Sequence, residues 1–93
     1  MRRVNVDCQP ASDGWTCVVE VADDRGSSHH TVRVAASDLA KLDPTAVDPT
    51  DLVRRSFDFL LRREAKESIL ASFDLTVISR YFPDYETEIR RRV

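Results

Sequence analysis

The sequence predicts an α+β domain: a three-stranded antiparallel β-meander followed by three to four helices packed on one face of the sheet. Two observations carry this. Up to residue 36 apolar residues alternate with polar ones, the period of a half-buried strand; from Ser37 onward they recur at helical spacing almost to the C-terminus. A third observation places the joints. Pro10, Ser12, Asp13 and Gly14 separate the first two alternating runs, and Asp23-Asp24-Arg25-Gly26-Ser27 separates the second from the third. At 93 residues the chain is one domain, with residues 1–36 as the meander and 37–93 as the helical part.

Val4, Val6 and Cys8 define the first strand. Trp15, Cys17, Val19 and Val21 line one face of the second, and His30, Val32 and Val34 one face of the third. Setting Cys8 opposite Cys17 places Val6 against Val19 and Val4 against Val21. A tight turn at Arg25-Gly26 would then set Val21 against His30, Val19 against Val32 and Cys17 against Val34. All apolar side chains share one face in that register, as a half-buried sheet requires. Thr16, Glu20, Thr31 and Arg33 fall on the solvent face. With three strands, both sheet edges are expected to be open, which favours dimerisation or strand addition.

In the helical part Ser37 caps a short helix reaching Leu42. Asp48 or Thr50 caps the next, with Pro49 suited to its first turn. That helix is expected over residues 50–64, with Val53, Phe57, Leu60 and Leu61 as its apolar stripe. Lys66 to Phe73 reads as another short helix, Leu75 to Tyr81 as the next with Asp74 as cap, and Tyr85 to Arg91 as the last. Arg90-Arg91-Arg92 at its C-terminal end is favoured by the helix dipole alone.

The segments Phe57-Asp58-Phe59-Leu60-Leu61-Arg62-Arg63-Glu64, Glu67-Ser68-Ile69-Leu70 and Tyr81-Phe82-Pro83-Asp84-Tyr85 resemble a group of short bacterial proteins of unknown function. The resemblance covers the last two-thirds of the chain. It implies a bacterial origin and says nothing of activity or mechanism.

Composition excludes several classes. The net charge of -2 runs against a dedicated nucleic-acid binder, which is usually basic. No apolar run reaches the ~20 residues of a membrane span, and Met1-Arg2-Arg3-Val4-Asn5 opens no signal-peptide core, so a cytoplasmic protein is expected. Two cysteines are too few for a disulfide scaffold or a structural zinc site, and Cys8 and Cys17 read as reduced core residues. His29 and His30 are strand neighbours pointing to opposite faces, so they do not share one ion. No phosphate loop, nucleophile elbow or paired-carboxylate cleft occurs, so neither a catalytic residue nor a cofactor is expected.

What remains is surface. Leu52 and Phe59 are seven residues apart and lie off the main stripe, so their helix presents two apolar edges. The second edge would meet either the C-terminal helix, with Tyr81, Phe82 and Tyr85, or a second copy of the chain. Arg55 and Arg62 share a helix face, flanked by Arg54 and Arg63, with Lys66 beyond. The expected function is a small interaction or regulatory module, working through a protein partner or as a homodimer. Leu52, Phe59, Arg55, Arg62, Arg63, Tyr81 and Tyr85 are its candidate contact residues. The alternative is nucleic-acid association through the arginine face, and a helix-turn-helix at 66–82 would be one form of it.

Overall fold

The structure, a computed structural model, describes residues 1–90. It is an α+β fold with a four-stranded mixed sheet in the order β1-β2-β3-β4. The strands are β1 (Arg3–Ala11), β2 (Gly14–Asp23), β3 (Gly26–Ala35) and β4 (Ser72–Asp74). The helices are α1 (Ala36–Leu42), α2 (Thr50–Leu61), α3 (Val77–Tyr81) and α4 (Tyr85–Arg90), with a single 3-10 turn at Lys66–Ser68. Arg91 and Arg92 lie outside the described residues. No helix among the described residues is long and apolar enough to cross a membrane.

The β1–β2 register is the one the alternation predicts: Val4 pairs with Val21, Val6 with Val19 and Cys8 with Cys17. The consequence for the cysteines differs from the expectation of free thiols. Their Cα atoms are 3.9 Å apart, and the two sulfurs form a disulfide. Gly14 opens β2 where no side chain fits: a Cβ there would collide with the Val34 carbonyl oxygen. That close approach lets the Asp13 carbonyl accept the Ala36 N–H at 2.9 Å, tying the first hairpin to the start of α1.

The β2–β3 register is displaced by two residues from the expected one. Val19 pairs with His30, Val21 with Ser28 and Cys17 with Val32. The apolar face is preserved because a two-residue slip keeps every side chain on its side. The turn is centred on Asp24-Arg25 rather than Arg25-Gly26. Asp23 fixes it, since its Oδ1 accepts the Arg25 N–H at 2.8 Å, and Gly26 follows at a φ of 132°, a value side chains disfavour.

The segment 66–73 is not the expected helix. After the 3-10 turn it extends and adds β4 parallel to β3, with Val32 opposite Phe73 and Arg33 opposite Asp74. The Ala71 carbonyl accepts the Thr31 N–H at 2.8 Å, and the Arg33 carbonyl accepts the Leu75 N–H at 2.9 Å. Phe73 and Leu75 point inward while Ser72 and Asp74 point out, a strand period hidden behind Ile69-Leu70. The helix-turn-helix geometry therefore does not form, and β4 covers part of the β3 edge that was expected to be open.

Helix α2 is the centre of the molecule. Asp48 prepares its start, accepting the Thr50 N–H at 2.9 Å, which holds the Asp48 carboxyl below the usual range. One side of α2, with Val53, Phe57 and Leu60, packs on the sheet; Phe57 lies between His30 and Phe73, at ring distances of 5.3 and 6.2 Å. The other side meets α4. Phe59 makes edge-to-face contacts with Tyr85 at 5.3 Å and Phe82 at 5.8 Å. The second apolar edge of α2 is thus covered by the chain's own C-terminal helix. Leu52, Phe59 and Tyr85 are buried there and present no surface.

Candidate functional site

Where α2 ends, the chain turns through Arg62–Ala65, makes the 3-10 turn at Lys66–Ser68 and then runs extended beside β3. This leaves a groove of about 360 Å³ between the end of α2, β4 and α3. Leu60 and Phe73 contribute from α2 and β4, Ile69 from the extended segment, and Val77 and Ile78 from α3. Leu70 and Tyr81 stand on its margin, 48% and 67% exposed. Soluble proteins scatter exposed apolar residues singly, so two flanking one apolar groove are informative.

Among the described residues Glu64 is the one charged member of this lining. It is half-buried, and its carboxylate has no hydrogen bond or ion pair among the described residues. The neighbouring Glu67 is placed differently: three residues on, it accepts from Lys66 Nζ at 2.6 Å, which holds its carboxyl low. An unpaired carboxylate at an apolar groove favours a ligand carrying a positive charge beside an apolar group.

The groove wall is held by His30. This side chain is buried, with Nδ1 2.7 Å from the Leu70 carbonyl oxygen and Nε2 2.8 Å from Ser28 Oγ. The carbonyl only accepts, so Nδ1 donates; in the neutral ring Nε2 accepts from the serine hydroxyl. His30 thus pins the segment bearing Leu70 to β3. His29 lies on the opposite face, exposed, 3.4 Å from Glu20. Among the described residues no three metal-ligating side chains come together.

The arginine face is largely committed to internal contacts. Arg55 donates to the buried Asp43 at 2.9 Å, to Asp51 at 2.8 Å and to the Ile89 carbonyl at 2.7 Å, joining α2 to the loop after α1 and to α4. The Arg63 guanidinium lies over the Phe59 ring, 3.6 Å from its centroid, and donates to Asp84 at 2.8 Å. Lys66 is 5% exposed, its ammonium shared by Asp23 at 2.9 Å and Glu67. Those partners push Lys66 upward and hold Asp23 below the ordinary carboxylate range. Arg54 and Arg62 remain exposed. Of the seven candidate contact residues, the structure brings only Tyr81 to the groove margin. Glu64, Leu70 and Ile69 were missed because a helix over 66–73 would have scattered them.

Comparison with family models, with curated protein sequences and with solved structures gives no match.

Proposed function

We propose that this chain is a small, non-catalytic interaction module whose groove receives a short segment of a partner protein, an apolar anchor followed closely by a lysine or arginine. The supporting observation is the unpaired Glu64 carboxylate at an apolar groove flanked by Leu70 and Tyr81. The groove is large enough for a pair of apolar side chains, and the exposed Leu70 and Tyr81 extend the contact outside it, which suits a peptide better than a small metabolite. Besides Glu64, the described lining residues offer only the hydroxyls of Ser68 and Tyr81 as side-chain polar groups. One carboxylate with no second carboxylate, histidine or cysteine beside it among the described lining residues favours binding over acid–base chemistry.

The compartment follows the state of Cys8 and Cys17. The disulfide persists in an oxidising compartment, and the cytoplasm would keep both as thiols.

Random-peptide display against the wild-type protein, with Glu64→Lys as counter-target, tests the reading. Sequences joining an apolar anchor to a basic residue should be enriched on the wild type and lost on Glu64→Lys. Enrichment that ignores Glu64, or none, would overturn it.

A further inference from the structure

β1 closes one side of the sheet, and its outer side is nine residues long. Among the described residues, none of the backbone hydrogen bonds made by turns and loops reaches residues 3–11. The strand's parity shows which groups face outward. Cys8 and Cys17 face each other at the close spacing of a non-hydrogen-bonded antiparallel pair. Arg3, Asn5, Asp7 and Gln9 therefore exchange hydrogen bonds with β2, while Val4, Val6 and Cys8 turn their N–H and C=O groups to the open side.

The side chains of the same strand are unfinished in a matching way. Val4, Val6 and Cys8 pack against the core yet stay only partly buried, so the apolar layer stops short at this edge. On the solvent face Arg3, Asn5 and Asp7 stand exposed in a row. Asp7 Oδ1 accepts from Gln9 at 3.1 Å, and Asn5 reaches Glu20 at 3.4 Å; Arg3 has no side-chain partner among the described residues.

We infer that a second copy of the chain adds to β1, antiparallel, about a two-fold axis through Asn5. In that register Val4 lies opposite the partner's Val6, and the outward backbone groups of both exchange N–H···O=C bonds. Arg3 lies opposite the partner's Asp7 and Asp7 opposite the partner's Arg3, two charge-matched pairs related by symmetry. Moving the axis to Val6 would set Arg3 against the partner's Gln9 and Asp7 against the partner's Asn5. Moving it to Val4 would set Arg3 against the partner's Asn5. The axis at Asn5 matches each of these charges with its opposite and each of these valines with a valine. Pro10, which has no N–H to offer, falls beyond the paired stretch. The product is one continuous eight-stranded sheet. The groove lies beside β4, at the other edge of each sheet, so this inference goes beyond the peptide reading and uses a separate surface.

Sedimentation velocity from the micromolar to the millimolar range tests it. The wild type should show a monomer–dimer equilibrium. Asp7→Arg and Arg3→Asp should each raise the dimer dissociation constant at least about tenfold, because both symmetric pairs become repulsive. An equimolar mixture of the two variants should dimerise again, since it restores opposite charges at both positions. Thermal melting of each variant as an unchanged monomer confirms that lost pairing is not lost folding. A wild type that stays monomeric throughout, or a dimer indifferent to the charge exchange, would overturn the inference. Groove binding to the selected peptides, measured on the same samples, would be untouched by that result.

Discussion

The hydroxyl of Tyr85 lies 2.6 Å from Ser56 Oγ, and both groups are buried between α2 and α4. Ser56 also donates to the Leu52 carbonyl at 2.8 Å, so the tyrosine hydroxyl is the donor to Ser56 when both bonds are made. This pair fastens α4 over the apolar edge formed by Leu52 and Phe59. It explains why α2, with two apolar sides, needs no second molecule to cover it.

Replacing Tyr85 by Phe removes one buried hydrogen bond and should cost about 1 kcal/mol at neutral pH. It should also change the alkaline limb of stability. Burial pushes the Tyr85 hydroxyl from 10.0 up to about 12. A raised folded-state value means the protonated form is favoured by folding. That contribution is complete below pH 10 and is lost as the pH climbs toward 12, an order of 2–3 kcal/mol in all. Chemical denaturation across this window should show the decline in the wild type and a smaller one in Tyr85→Phe.

At the acid end the sensitive group is Asp23. Its carboxyl is held below 3.8, first by the hydrogen bond from Lys66 and next by the Arg25 N–H. A lowered folded-state value contributes stability above the unfolded value, and this is lost as the pH falls through the folded one. Melting temperature should therefore drop below about pH 4 more steeply in the wild type than in Asp23→Asn. At neutral pH the order reverses: Asp23→Asn should melt lower, because the Lys66 ammonium loses a charged partner and the Asp24-Arg25 turn loses part of its anchor.

His30→Ala should destabilise the fold by about 3 kcal/mol, from the cavity it leaves and the Leu70 carbonyl it orphans. Since His30 fixes the segment bearing Leu70, the same variant should weaken peptide binding while leaving self-association through β1 unchanged. Denaturant titration and a binding isotherm on one preparation measure both effects.

The disulfide closes a short hairpin loop, with a sequence separation of 9. A loop of that length is worth about 2–3 kcal/mol in the chain-entropy account. The variant with Cys8→Ala and Cys17→Ala should lose about that amount relative to the oxidised protein and match the reduced one more closely. Thiol titration of protein taken from its native source reports which form operates.

The first hairpin was legible in the sequence because Val4, Val6 and Cys8 meet Val21, Val19 and Cys17 without ambiguity. The second was legible only in its facing. Registers two residues apart bury the same side chains, and the choice falls to the Asp23 carboxylate, whose bond to the Arg25 N–H no apolar pattern announces. β4 was hidden for a different reason. Ile69, Leu70 and Phe73 satisfy a helical spacing, yet the backbone donors of Thr31 and Leu75 draw this segment into the sheet. The groove depends on that same extension, so neither Glu64 nor Leu70 could be placed in a site beforehand. The arginine face misled in the opposite sense. Arg54 and Arg55 lie on α2 as expected, but the helix stops at Leu61 rather than residue 64, so Arg62 and Arg63 fall in the turn after it, and the acidic partners Asp43 and Asp84 come from loops whose proximity only the tertiary fold creates.

The most direct measurement is amide chemical-shift mapping of the protein titrated with a display-selected peptide. The account predicts the largest shifts at Leu60, Glu64, Ile69, Leu70, Val77 and Tyr81, with slower dissociation for peptides retaining the basic residue. Shifts confined to the Arg54–Arg62 face or to β1, with the groove residues unmoved, would contradict it.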